Sequence, residues 1–237
     1  MRLLCLVSIL AFAASVVSAY DVITVPTANQ LKKGEIELAY YYAFLRYNDP
    51  KPEFMQIQTL YVGITDRFEL DTHMYAVDSN RTSVILIGNV KLLSEKDNWA
   101  DVVVGCKNMA GTPTVDNPPL CPVNYRQLST EQSYYLCAAK TFQLGENRGP
   151  VRPPFLRVHV SLGSPDWTID LDKRHQGIFG GLQYIITPNL GVFAFDDGRN
   201  IITAVGYRLP KTDLMLRAGT FGAHWFAGLA YAWTPRW

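Results

Sequence analysis

The stretch His224–Trp233 (HWFAGLAYAW) repeats with a period of two, and that alone rules out most folds. Trp225, Ala227, Leu229, Tyr231 and Trp233 form one apolar face; Phe226, Gly228, Ala230 and Ala232 form a second, mostly small one. A helix would scatter these residues around its axis, whereas a strand sends alternate side chains to opposite faces. A strand near the chain end that is large and apolar on one face, beside the aromatic Trp237, suits a sheet that closes on its own first strand. Closure removes both unpaired edges.

The same period runs back through the chain. Residues 34–47 set Ile36, Leu38, Tyr40, Tyr42 and Phe44 against Glu35, Glu37, Ala39, Tyr41 and Ala43, and residues 67–76 set Phe68, Leu70, Thr72 and Met74 against Glu69, Asp71, His73 and Tyr75. Residues 54–63 alternate Met55, Ile57, Thr59 and Tyr61 with Gln56 and Gln58, which places the two amides on the polar face. Further strands are expected at 82–93, 99–109, 132–144, 155–163, 176–187, 189–197, 199–209, 213–220 and 224–234. Thr65-Asp66, Thr187-Pro188-Asn189 and Pro210-Lys211-Thr212 supply turn chemistry, and a connection at 110–131 is rich in Pro, Asn and Thr. The expectation is an all-β chain: a single antiparallel transmembrane β-barrel of about 12 strands over 34–237, with short turns at one end. Residues 20–33 would precede it as a periplasmic segment. The alternative is a secreted β-sandwich with its apolar faces pressed together; strands this long exceed the roughly 5–6 residues usual in soluble sheets.

Arg2, the apolar run Leu3–Val17 and the small residues Val17-Ser18-Ala19 before Tyr20 read as a secretory signal peptide over 1–19. No later apolar run approaches the roughly 20 residues of a membrane helix, so a membrane protein with this sequence has to cross with strands. The chain holds 22 Lys and Arg against 21 Asp and Glu. Removing the leader takes away Arg2 and leaves these in balance, so there is no basic excess for nucleic acid. Cys106, Cys121 and Cys137 remain, in a compartment that permits disulfides; Cys121 bonded to Cys106 or Cys137, and all three free, both stay open.

With the apolar face turned to lipid, the second face lines the lumen: Glu35, Glu37, Glu69, Asp71, His73, Lys91, Arg157, His159, Arg208 and Arg217. Gly228 and Ala230 leave room for Arg217 to reach Glu35 or Glu37 across the closing strand, in a structural charge network rather than a selectivity ring. His159 and Ser161 share a face at the spacing of a base and nucleophile, given a third residue to orient the ring. Asp196-Asp197-Gly198-Arg199-Asn200 reads as a hairpin turn, without the spaced ligands of a calcium loop. No metal-ligand spacing and no phosphate loop is present in the sequence, and no cofactor is expected.

Val25-Pro26-Thr27-Ala28, Leu31-x-x-Gly34-Glu35, Val62-Gly63-Ile64-Thr65-Asp66-Arg67-Phe68-Glu69-Leu70, and Phe179-Gly180-Gly181-Leu182-x-Tyr184 with Asn189-Leu190-Gly191 and Arg199-Asn200 together resemble the YjbH-like family of outer-membrane β-barrel proteins. That family is associated with exopolysaccharide production. The resemblance implies a barrel in the bacterial outer membrane, with polysaccharide or a small polar solute as cargo. Gly228-x-x-Tyr231-x-Trp233 resembles the C-terminal signal of outer-membrane proteins, implying the barrel-assembly machinery as a partner beside outer-membrane lipid. His159-x-Ser161 is similar to the pair of the outer-membrane phospholipase family, although Leu171 stands where its orienting Asn belongs. The expected function is therefore a non-enzymatic narrow channel or accessory barrel for polar solute or exopolysaccharide. The alternatives are a plugged structural or adhesion barrel, or a phospholipase using His159 and Ser161.

Overall fold

A computed structural model describes residues 25–45, 53–78, 81–110, 114–115, 128–129, 132–145, 154–164, 177–198 and 200–234. The leader at 1–19, Cys121 and Leu171 lie outside the described residues. The strands are β1 (Ile36–Leu45), β2 (Glu53–Gly63), β3 (Phe68–Asp78), β4 (Arg81–Leu93), β5 (Asp101–Lys107), β6 (Thr114–Val115), β7 (Leu128–Ser129), β8 (Ser133–Gln143), β9 (Phe155–Gly163), β10 (Gly177–Thr187), β11 (Leu190–Asp196), β12 (Ile201–Arg208), β13 (Leu214–Phe221) and β14 (His224–Trp233). Twelve of them close into one antiparallel barrel; β6 and β7, inside the expected 110–131 connection, pair only with each other. The ring closes where β14 pairs with β1, from Ile36 opposite Trp233 to Phe44 opposite Trp225.

Large apolar side chains cover the outer wall. Leu38 is 49% exposed, Val160 56%, Ile201 66% and Trp225 55%. Large apolar side chains exposed strand after strand are not what a water-soluble monomer usually presents. A closed ring also leaves no strand edge with unpaired backbone groups, which a hydrocarbon surrounding requires. Tyr42 stacks on Phe54 with ring centroids 5.3 Å apart at one rim, and Tyr231 stacks on Trp233 at 5.5 Å at the other. Aromatic pairs at both ends of the wall are what the two interfaces of a membrane barrel favour. Lys140 points outward at the second rim, where its Nζ lies 3.2 Å from Glu95 Oε1 and 5.7 Å from the centre of the Trp99 ring.

The N-terminal segment and the turns 64–67, 188–189 and 209–213 mark the near rim; the connections between β1 and β2, β5 and β8, and β9 and β10 mark the far rim. The lumen differs from the expected charged interior. Toward the far rim, Phe179, Phe195, Ile202, Phe221 and Phe226 are buried together with Met55 and Ile57. Inward glycines are covered by rings: a Cβ on Gly105 would lie 2.2 Å from Tyr135 Cζ, and one on Gly228 2.4 Å from Tyr41 Cδ1. The small second face seen in the sequence is thus the floor on which bulky inward side chains rest.

β2 has the expected limits but the opposite phase. Met55, Ile57, Thr59 and Tyr61 are buried, while Gln56 and Gln58 face outward. The register decides this: Gln58 lies opposite Tyr40, Gln56 opposite Tyr42, and Leu60 opposite Leu38, all outward residues of β1. Polarity misleads here because a filled lumen takes Met and Ile as readily as lipid does. Since Gly228 has no room for a methyl group, Gly228→Ala is expected to lower stability by about 1–3 kcal/mol, the usual cost of overpacking. A lower transition temperature in heat-modifiability gels checks it; an unchanged temperature contradicts the packing described.

Candidate functional site

Residues 25–31 run inside the barrel. They belong to the 20–33 segment expected to precede the barrel, of which residues 20–24 lie outside the described residues. Val25 and Ala28 are fully buried at 0% exposure and belong to the same buried cluster as the inward wall residues Ala39, Tyr41, Met55 and Phe193. Leu31 packs on Tyr61, and its N–H donates to Glu69 Oε2 at 2.6 Å. The chain enters over the near rim, where Gly34 N donates to Gly63 O at 2.7 Å. Close packing also explains Gly63, whose added Cβ would lie 2.0 Å from the Lys32 carbonyl oxygen.

Arg157 of β9 fastens this segment to the wall. Its Nε donates to Asn29 Oδ1 at 2.9 Å, one terminal nitrogen to Glu95 Oε2 at 2.9 Å and Thr141 Oγ1 at 2.8 Å, and the other to Asp101 Oδ2 at 2.5 Å. Asn29 also reaches Gln183 Oε1 at 3.4 Å. Lys91 lies 3.8 Å from Asp101. One guanidinium therefore joins the inner segment, the 94–100 connection and strands β5, β8 and β9. The planar fork of arginine suits this, since each N–H points at a separate acceptor.

Two further clusters complete the polar interior. Asn89 donates to Glu69 Oε1 at 3.3 Å and to Asp71 Oδ2 at 2.6 Å, while its own oxygen accepts from the Tyr135 hydroxyl. Arg217 reaches across Gly228 to Glu37 at 3.3 Å, donates to the Tyr41 hydroxyl, and sets its Nε 3.1 Å from Met215 Sδ. Both members of the ion pair are 2% exposed.

Of the residues expected in the lumen, Glu37, Glu69, Asp71, His73, Arg157, His159, Arg208 and Arg217 are buried inward. Lys91 is half-buried at the near rim. Glu35 departs from the expectation: its carboxylate accepts the Lys32 N–H at 2.9 Å in the turn entering β1. His159 packs against Phe195 at 5.4 Å between ring centres, and neither it nor Ser161 bonds to the other. Cys106 and Cys137 face opposite sides of the wall, so they do not bond to each other. Glu95, Asn29 and Tyr135 are not among the site residues expected from the sequence, and Tyr41 is read there only as a second-face residue. Glu95 lies in a connection, where no alternation reveals its direction, and alternation shows which face Tyr41 takes without naming its partner.

Fold and lumen define a class: a closed β-barrel with a lipid-compatible wall and a lumen occupied by its own chain. No protein-family model matches the sequence, and no curated protein matches it. Among solved structures, an outer membrane channel from Pseudomonas putida F1 is similar over 85% of this chain and 96% of its own, at 16% identity and a TM-score of 0.42. The N-terminal β-barrel domain of Pseudomonas aeruginosa OprF covers 85% and 98%, at 13% identity and a TM-score of 0.24.

Losing Arg217 strands a carboxylate in the interior, so Arg217→Ala is expected to cost about 3–5 kcal/mol. The double variant Arg217→Met with Glu37→Leu should recover most of it, as measured by unfolding in detergent. Glu95 gives a pH test. Burial by itself would push its carboxyl up, but the Thr141 N–H and hydroxyl, Lys140 and Arg157 hold it below the ordinary value of 4.5. A lowered folded value means that the stabilisation is complete above pH 4.5 and is lost as pH falls through that lower value. Glu95→Gln should therefore melt below the wild type at neutral pH, with the two converging in acid.

Proposed function

We propose that this chain is a bacterial outer-membrane β-barrel, exported through its leader and closed at rest by its own N-terminal segment. On this reading it is a plugged structural barrel that presents the far-rim connections outside the cell. The observation that carries it is the complete burial of Val25 and Ala28 among inward wall residues. The apolar outer wall supports the membrane setting, and the pairing of β14 with β1 suits insertion by an assembly machinery that reads the last strand. The described far half of the lumen is lined by Phe179, Phe195, Phe221 and Phe226 and offers an exopolysaccharide few polar groups, so that cargo rests on the family resemblance alone. We read the chain as non-enzymatic, since His159 and Ser161 do not assemble as base and nucleophile.

A second reading, passage of a small polar solute after the inner segment withdraws, is favoured by one observation. The contacts holding residues 29–31 are polar, through Arg157, Gln183 and Glu69. Planar-bilayer recording tests both readings. The wild-type chain is expected to be silent, and discrete openings from it would overturn the plugged reading. Openings that appear only in Asn29→Ala with Glu69→Gln would establish the gated one.

A further inference from the structure

The outer wall contains one place where its chemistry does not suit hydrocarbon. Gln56 and Gln58 point outward from β2, with Thr72 outward on β3. They are bracketed along the barrel: Phe44 and Phe54 lie beyond them toward the far rim with ring centres 5.3 Å apart, and Leu38 and Leu60 lie below, 49% and 39% exposed. Tyr40 and Tyr42 flank them on β1, and Met74 and Ala76 flank them on β3. Gln58 therefore sits within the lipid-facing band, and Gln56 at its edge, level with the Tyr42 ring of the far rim.

Elsewhere on the described wall, two outward polar contacts stand out. Thr203 and Thr220 bond to each other at 2.9 Å, and Lys140 reaches Glu95 at 3.2 Å. Neither Gln56 nor Gln58 has a hydrogen-bond partner among the described residues. A primary amide exposed to hydrocarbon with no partner is costly, and the cost falls away once a second amide meets it.

We infer that the outer face of β1, β2 and β3 is the interface for a second copy of this chain in the membrane. Symmetry favours a copy of itself. Two barrels inserted the same way round pair about a two-fold axis along the membrane normal, which brings each depth of one wall against the same depth of the other. A group on such an axis meets its own kind. Carboxylates or ammonium groups would repel there, whereas an amide both donates and accepts and so pairs with another amide. Gln58 meets Gln58 and Gln56 meets Gln56, with the flanking Tyr40, Tyr42, Phe44 and Phe54 packing around them.

The test uses the purified full chain, by native mass spectrometry in detergent and by single-molecule photobleaching at low density in phosphatidylcholine bilayers. The wild type is expected to be dimeric. Gln56→Leu with Gln58→Leu is expected to weaken dimerisation by about tenfold or more, as loss of paired amides in a membrane implies. The same variant should keep its heat-modifiability, because leucine suits a lipid-facing position. Gln58→Leu alone should weaken the dimer less, and Thr203→Val with Thr220→Val, away from the patch, should leave it unchanged. A wild type that is monomeric in both settings, or leucine variants that dimerise like the wild type, would overturn the inference.

Discussion

The pairing of β14 with β1 is the constraint on which the rest of the structure depends. Once these strands pair over nearly their whole length, the sheet has no open edge, its backbone ladders run round the whole ring, and its two faces are committed to different surroundings. One must suit whatever lies outside the ring. The other must be filled from inside. A closed wall cannot trade one face for the other, because a slip of one residue would turn every side chain over.

The interior is filled in two ways, and the difference sets what the barrel does. Toward the far rim, rings rest on inward glycines and alanines in a packed apolar mass. Toward the near rim, the chain's own residues 25–31 take up the space, tied in by Arg157 and by the Leu31 N–H on Glu69. Buried ionic groups are tolerated there because each acquires several partners, as the four contacts of Arg157 illustrate. The same groups make the near-rim half the softer part of the plug, since polar contacts to Asn29 exchange for water more readily than apolar packing does.

Much of this was legible in the sequence. The alternation in 224–234 and 34–47 marks the closing strands and their outward faces, and the small residues Gly228 and Ala230 point to the crossing of Arg217 to Glu37. Three things were not legible, each for a physical reason. Gln56 and Gln58 look like lumen residues because alternation reports two faces without saying which is inside, and the apolar face of β2 is enclosed. Residues 25–31 carry no period, since they pack in extended form against several strands at once. Glu95 sits in a connection, so only the fold brings it to Arg157 and Lys140.

The outward apolar face of this wall is the side that has to meet hydrocarbon. Spin labels at Leu38→Cys, Val160→Cys and Leu229→Cys, on an otherwise cysteine-free chain reconstituted in lipid, measure it directly through relaxation by oxygen and by a water-soluble nickel chelate. Strong relaxation by oxygen with exclusion of nickel at all three positions is the expected result. Relaxation by nickel at these positions would contradict the account.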